Sequence, residues 1–302
     1  MSTIPGYDDQ TYLTDVVPTL FQGAFDSVEP VHSMAGGLVT PAPSGTRQNL
    51  YTFLDDAPEL RDWQGEVKYT KMTGNEQIVV NRKYSGGLEI DKDDISDLSR
   101  IASIDEQVRA LGDAAAQHPD ETIWSFLEAN TVNGYDGVPI FDAAHPLKFS
   151  ASTQSNEDTG GAGRYWYLLD TRARMKWAIW QTREAYRVTT LNADSGNVDG
   201  FDREVHKIKA GGRVAVAPGI YARAYRSNQA LDATNYAAAW SAMQELKSPR
   251  GKPLRVTPTV LMVPPSLAIQ AFEIVTTSRN ASGADNVLQG TAQVVVNPYL
   301  TL

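Results

Sequence analysis

The sequence contains no cysteine among its 302 residues. Disulfide bonds, thiolate nucleophiles, zinc ribbons and iron–sulfur clusters are therefore excluded, because each of them needs cysteine sulfur. Any covalent stabilisation would have to use other chemistry. Histidine is also scarce, with four residues in the chain, and no complete Ser–His–Asp or similar catalytic constellation is visible.

Long hydrophobic runs and an excess of basic residues are missing as well. Apolar runs such as Val260–Val263 are far shorter than a membrane span, and residues 1–5 have neither the basic nor the apolar region of a signal peptide. We therefore expect a soluble protein made without a signal. With 36 acidic against 27 basic residues the formal charge is −9, which disfavours binding of nucleic acid through the overall field.

What is present is the composition of a globular protein. Hydrophobic residues make up 42% of the chain and charged residues 21%, which excludes disordered and fibrous classes. The length allows one large domain or two ordinary ones with a sizeable core.

Residues 1–49 are expected to form an arm rather than an independent domain. Apolar residues from Tyr12 to Phe25, Phe21 among them, fall at helical spacing with Pro18 interrupting, and the prolines and glycines that follow prevent a long regular element. Such a segment has too little partner surface of its own. We expect it to lie along its own body or along a neighbouring subunit.

Residues 65–92 alternate polar and apolar residues, which predicts a long hairpin with its turn at Thr73–Asn75. A two-stranded ribbon with so many polar side chains has at best marginal stability in water by itself. It therefore needs support from another surface. The candidates for intersubunit contact are ribbon residues and two arm residues: Lys68, Lys71, Glu76, Arg82, Lys83, Phe21 and Phe25.

The rest of the chain carries both helix and strand signals. An apolar stripe from Ile101 onward predicts a long helix that Pro119 ends or bends. Residues 166–188 and 213–225 are predicted strands, and residues 150–164 and 192–212 are predicted polar segments. The last part is predicted to contain a helix capped by Asp232, a strand at 259–263, a helix at 267–276 and a strand at 294–296.

The sequence contains only weak candidates for catalytic or binding residues. Asp142 stands three residues before His145, so a metal or acid–base site is conceivable, but no further ligand is spaced to complete it and a structural histidine is favoured. The aspartates at 91, 93 and 94 lack the glycine and distal glutamate of a calcium loop. The aromatic and basic stretch 166–187 could stack bases, although a buried strand is favoured. We therefore expect no enzyme, cofactor or metal.

The order of these elements resembles the major capsid protein of tailed bacteriophages, and more narrowly the Mu-like prophage major head subunit family. Each matching segment is weak alone, but their order over nearly the whole chain is informative. The segments are Tyr51–Leu54, Pro58–Trp63, Asn81–Tyr84 with Asp91–Asp94, Ala114–Asp120, Tyr135–Gly137 with Phe141–Asp142 and His145–Pro146, Ile179–Arg183, Gly251–Leu254, Pro258–Pro265 and Val294–Pro298.

The resemblance implies an α+β fold of the Hong Kong 97-type phage capsid, with an N-arm, an E-loop, a spine helix, and peripheral and axial domains. Residues 188–212 are longer and more polar than this pattern suggests, which affects the boundaries. The assignment is 1–49 to the N-terminal arm, 50–97 to the E-loop hairpin region, 98–228 to the spine helix and peripheral domain, 229–290 to the axial domain, and 291–302 to a C-terminal strand returning to the peripheral domain.

The resemblance also implies a structural protein that assembles as hexamers and pentamers into an icosahedral shell around phage double-stranded DNA. The implied partners are further copies of the chain, a portal, and a scaffold, protease or decoration protein, with no sequence-specific DNA binding and no membrane. The implied location is the virion capsid, after synthesis in the bacterial host cytoplasm. Two alternatives stay open, namely an encapsulin-like nanocompartment shell and a metal-dependent enzyme that uses Asp142 and His145.

Overall fold

The computed structural model describes residues 9–54, 62, 65, 74–96, 100–193, 203–279 and 283–301. Lys68 and Lys71 of the predicted ribbon lie outside the described residues. The chain divides into two compact units. The first comprises residues 1–30, 81–121 and 182–215, and the second comprises residues 31–80, 122–181 and 216–302.

The first unit contains a helical arm and most of a long helix. The arm begins as α1 (Asp9–Thr11), passes through a π-helical turn at Tyr12–Val16 and continues as α2 (Val17–Ser27). Pro18 does not interrupt the arm, because it lies in the first turn of α2, where proline is tolerated. After the short α3 (Lys92–Ser96), helix α4 (Ile101–Ala129) runs through Pro119 as one continuous helix.

A sheet completes the first unit. Strand β4 (Arg82–Asp91) pairs antiparallel with β10 (Val205–Pro218), so that Asp91 stands opposite Val205 and Arg82 opposite Val214. The strand order is β1-β9-β10-β4, in which β1 (Thr40–Pro43) and the first four residues of β9 (Ala178–Leu191) belong to the second unit. The arm, α4 and the sheet share a core of Tyr12, Leu13, Val17, Phe21, Ile90, Ile95, Ile104, Val108, Ala115, Ile208 and Ala210.

One prediction is corrected by this sheet. Residues 205–212, which we expected within a polar segment, belong to β10, because Ile208 and Ala210 alternate with the outward Lys207 and Lys209. Strand β4 pairs with β10, and the first arm of the predicted ribbon lies outside the described residues except for Gly65.

The second unit is built around a five-stranded sheet. Its strand order is β13 (Gln293–Val296), β12 (Val260–Val263), β8 (Trp166–Leu169), β11 (Ala224–Ser227) and β7 (Glu157–Asp158). Strands β8 and β12 are buried along their whole length, as their apolar sequences predict. Helices α5 (Ala233–Gln244) and α6 (Ala268–Val275) share the core, and the Asp232 carboxylate caps α5 by accepting from Asn235 N at 2.8 Å.

The second unit also carries two hairpins. Strand β2 (Gln48–Leu54) pairs antiparallel with β3 (Gly74–Val80), and the short β5 (His145–Pro146) pairs with β6 (Thr153–Gln154). The turn predicted at Thr73–Asn75 is wrong, because Gly74 and Asn75 already pair with Leu54 and Phe53. Within the described parts of the chain, no helix combines the length and apolar character that a membrane crossing requires.

The packing of α2 on α4 leads to a first prediction, that Gly112→Ala destabilises the subunit whereas Gly23→Ala stabilises it. Alanine in a helix is normally favoured over glycine by about 1 kcal/mol. A Cβ at Gly112 would lie 2.6 Å from the Phe21 carbonyl oxygen and 2.9 Å from the Ala24 Cβ, whereas one at Gly23 meets nothing within 4 Å. Overpacking of this kind costs about 1–3 kcal/mol. Urea unfolding of unassembled subunits measures both, and stabilisation by both substitutions would contradict the close approach.

Candidate functional site

The hairpin of β2 and β3 has two faces of different character. Side chains alternate between the faces of a strand, and on one face Phe53 and Val79 are 8% and 4% exposed. On the opposite face Leu50, Ile78 and Val80 are 55%, 60% and 44% exposed. Leu50 stands directly opposite Ile78 in the register. We call Leu50, Ile78 and Val80 the outer hairpin patch.

The inner face of the hairpin is held by its own unit. The Phe53 ring stacks on Tyr135 with 4.7 Å between centroids, and Asn75 Nδ2 donates to the Tyr135 carbonyl oxygen at 2.6 Å. The Tyr51 hydroxyl donates to Oε1 of the buried Gln181 at 2.8 Å, and burial raises the pKa of Tyr51 above its ordinary value. We expected the polar ribbon to need packing against another surface. On the inner face of the hairpin, other residues of the same subunit provide that packing.

The Phe53–Tyr135 contact is the first step of a longer aromatic stack. Tyr135 stacks on Tyr221 at 5.9 Å between centroids, and Tyr221 stacks on the His145 ring at 3.7 Å with an interplanar angle of 4°. Gln154 Nε2 donates to the Tyr221 hydroxyl at 2.6 Å. The four stacked rings connect the inner hairpin face to a fully buried histidine.

Polar partners fix His145 at the end of the stack. Its Nδ1 lies 2.6 Å from Asp136 Oδ2, and its Nε2 lies 3.0 Å from Asn156 Oδ1. Asn156 Nδ2 is directed at the backbone carbonyls of Ile140, Tyr221 and Ala224, so its Oδ1 must be the acceptor. Nε2 therefore donates to Asn156 Oδ1, and Nδ1 is within hydrogen-bond distance of the Asp136 carboxylate.

The structure does not bring Asp142 and His145 together as a site. The Asp142 carboxylate accepts from Ala144 N at 2.7 Å, while both ring nitrogens of His145 are engaged by other residues. This is the structural role that the sequence favours for His145. Among the described residues, no group of three or more histidine, aspartate and glutamate side chains is placed to hold a metal ion.

The remaining predicted contact residues do not form one cluster. Glu76 lies on the outer hairpin face, next to the patch and opposite Thr52. Arg82 and Lys83 are exposed at the start of β4, in the first unit. In the arm, Phe25 is half-buried between the rings of Phe21 and Tyr186, with centroids at 6.1 and 6.4 Å.

Phe21 is corrected as a candidate contact residue. Its side chain is 1% exposed and lies in the core that the arm shares with α4. No surface of Phe21 is left for a neighbouring subunit. Of the two possibilities left open for the arm, its described part lies along its own body.

The residues that sequence reasoning missed are Leu50, Ile78 and Val80. The alternation in β3 placed Ile78 and Val80 on one face, but only the partner strand shows that Leu50 joins them. The four-ring stack was missed because its members are separated by as many as 168 positions, from Phe53 to Tyr221.

Comparison with known proteins gives one consistent result. The family described as Mu-like prophage major head subunit gpT matches residues 11–300. The Mu-like prophage FluMu major head subunit of Haemophilus influenzae is 29% identical over 274 residues, covering 86% of this chain and 88% of that protein. The major capsid protein of Escherichia phage Mu is 28% identical over 294 residues, covering 93% and 94%. A procapsid structure of bacteriophage JBD30 matches with TM-score 0.75 and 29% identity over 94% of this chain and 98% of that chain.

The buried His145 cluster leads to a second prediction, that His145→Phe lowers the free energy of unfolding by about 2–4 kcal/mol. Phenylalanine keeps the ring stack but leaves the Asp136 carboxylate, which is 9% exposed, without its partner. Asp142→Asn is the matched control and should change stability by less than about 0.5 kcal/mol, because asparagine still accepts from Ala144 N. Denaturant unfolding measures both, and equal effects would contradict the assigned partners.

Proposed function

The chain belongs to the Mu-like prophage major head subunit gpT family and is a major capsid protein, and on this premise we propose that the outer hairpin patch joins it to its neighbours in the shell. The family match covers nearly the whole chain. The phage capsid fold expected from the sequence is confirmed by the JBD30 procapsid. A subunit of this kind works as many copies in one shell, so its main partner is itself.

The outer hairpin patch is the observation that supports the proposal. Single exposed apolar residues are ordinary on protein surfaces, but here three stand together on two paired strands. Fully burying a side chain of this size contributes about 1.5–3 kcal/mol. The inner face of the same hairpin is occupied within the subunit, so the outer face is the one that is available to a second copy.

The charged contact candidates have a smaller role in this proposal. Glu76, Arg82 and Lys83 are exposed, and exposed ion pairs contribute only about 0–1 kcal/mol each. These charges determine how two subunits are aligned in the contact. The half-buried Phe25 adds apolar surface on the arm. A closed shell repeats every contact at every subunit, so small contributions accumulate.

The two alternatives from the sequence are not supported. The matching family is a phage head subunit, which separates the chain from a nanocompartment that packages proteins. The enzyme alternative needs Asp142 and His145 to act together, and their side chains have different partners. We propose a structural role without catalysis.

The assembly proposal includes the architecture and partners that the resemblance implies. Hexamers and pentamers of the chain form an icosahedral shell around double-stranded DNA, after synthesis in the host cytoplasm. A portal is a further partner, as are a scaffold, a protease or a decoration protein. The assignments of 98–228 to the peripheral domain and 229–290 to the axial domain are part of the same proposal.

The third prediction follows from the patch: the double variant Leu50→Ser/Ile78→Ser folds but does not close into shells. Both side chains are more than half exposed in the subunit, so their loss should leave the melting temperature of unassembled subunits within about 2 °C of the parent value. Negative-stain micrographs and light scattering measure closure. The control Leu50→Val/Ile78→Val keeps the face apolar and should assemble. Normal shells from the serine variant would contradict the proposal.

A further inference from the structure

Small side chains leave a pocket between helix α4 and the sheet of the first unit. On the side of β4 that faces the core, Gly86 lies between Leu88 and Tyr84, and the register places it opposite Ala210 of β10. Helix α4 contributes a further small residue, Ala115, and both alanines are buried. A pocket of 260 Å³ results, with these small residues as its floor. We call it the α4 pocket.

Three aromatic rings form a wall of the α4 pocket. They belong to Tyr84 of β4, His118 of α4 and Tyr186 of β9. The centroid of the His118 ring lies 4.4 Å from that of Tyr84 and 5.6 Å from that of Tyr186, and the rings are inclined by 57° and 61°. The Tyr186 hydroxyl oxygen lies 2.6 Å from His118 Nδ1, which holds these two rings together. The faces of tyrosine rings carry partial negative charge and attract cations.

A carboxylate stands at the mouth of the α4 pocket. Glu121 follows His118 by three positions on α4, lines the pocket and is exposed. None of the described residues that line the pocket is a lysine or an arginine, so no cation of the lining balances Glu121. Burial lowers the pKa of His118 below its ordinary value, and the nearby Glu121 opposes part of this effect. His118 is therefore neutral at pH 7, and the pocket carries the negative charge of Glu121.

We propose that the α4 pocket binds a small free organic cation of the alkylammonium class. The ammonium group lies between Glu121 and the ring faces of Tyr84 and Tyr186, and the alkyl chain lies against the floor formed by Gly86 and Ala210. The pocket has the volume of about nine water molecules, which suits a short alkyl chain and excludes a nucleotide. The inference goes beyond the proposed function and does not depend on the outer hairpin patch.

The charge of the α4 pocket favours a cation over an anion or a neutral molecule. An anion would be repelled by Glu121 and by the ring faces. A neutral alkyl compound could contact the floor, but it would gain nothing from the carboxylate or the rings. The net charge of −9 adds a general attraction for small cations. Because the bound cation would contact α4, β4 and β9 together, its binding should stabilise the folded subunit.

Saturation-transfer NMR with n-butylammonium and unassembled full-length subunits tests the binding. The comparison compounds are 1-butanol and butyrate, which have the same chain length but no positive charge. Butylammonium should bind about tenfold more tightly than either compound, because only a cation gains from the rings and from Glu121. It should also raise the melting temperature of the subunit, since it binds the folded state.

Two substitutions on α4 test the location of the site. Ala114→Leu fills the exposed rim of the pocket, and Glu121→Gln removes its charge. Each should weaken the binding of butylammonium about tenfold. The matched controls are Ala110→Leu and Glu106→Gln, which make the same changes at exposed positions of α4 outside the pocket lining. Both controls should bind butylammonium as the parent does.

Melts of the variants without ligand, compared with the parent, show whether lost binding is lost folding. Equal binding of the three compounds, or equal loss of binding in variants and controls, would overturn the inference. Binding to unassembled subunits that disappears in closed shells would assign the pocket to a side chain of a neighbouring copy, which also overturns it. Because the binding is measured on unassembled subunits, failure of the parent chain to form shells would count against the proposed function alone.

Discussion

The stack of Phe53, Tyr135, Tyr221 and His145 fixes the position of the hairpin on its own unit. It begins on the inner face of β2 and ends on an imidazole whose two nitrogens are held by Asp136 and Asn156. Offset-stacked aromatic pairs contribute about 0.5–1.5 kcal/mol each beyond their burial. Because the inner face is fixed in this way, the outer face has a defined position and can serve as a surface for assembly.

The two faces of the hairpin therefore have different roles. Its inner face contributes to the stability of the single subunit, through Phe53, Val79 and the hydrogen bonds of Tyr51 and Asn75. Under the proposed function, the outer hairpin patch contributes to stability only when copies meet. The net charge of −9 makes free subunits repel one another at long range. Assembly is then directed to particular surfaces and is not driven by general adhesion.

Elements with local signals could be predicted from the sequence, and elements that depend on distant partners could not. The apolar stripe of α4, the Asp232 cap and the apolar run of β12 are properties of neighbouring residues, and the structure contains all three. The pairing of β3 with β2 is accompanied by packing of the hairpin against Tyr135, which no local pattern reveals. Phe21 was misjudged for a similar reason, because helical spacing shows an apolar face without showing which surface covers it.

The central claim is that the outer hairpin face is free in the subunit and covered in the shell, and hydroxyl-radical footprinting tests it most directly. Leu50 and Ile78 should be oxidised readily in unassembled subunits and protected at least fivefold in closed shells. Phe53, which is 8% exposed, should be protected in both states. Equal oxidation of Leu50 and Ile78 before and after assembly would contradict the account.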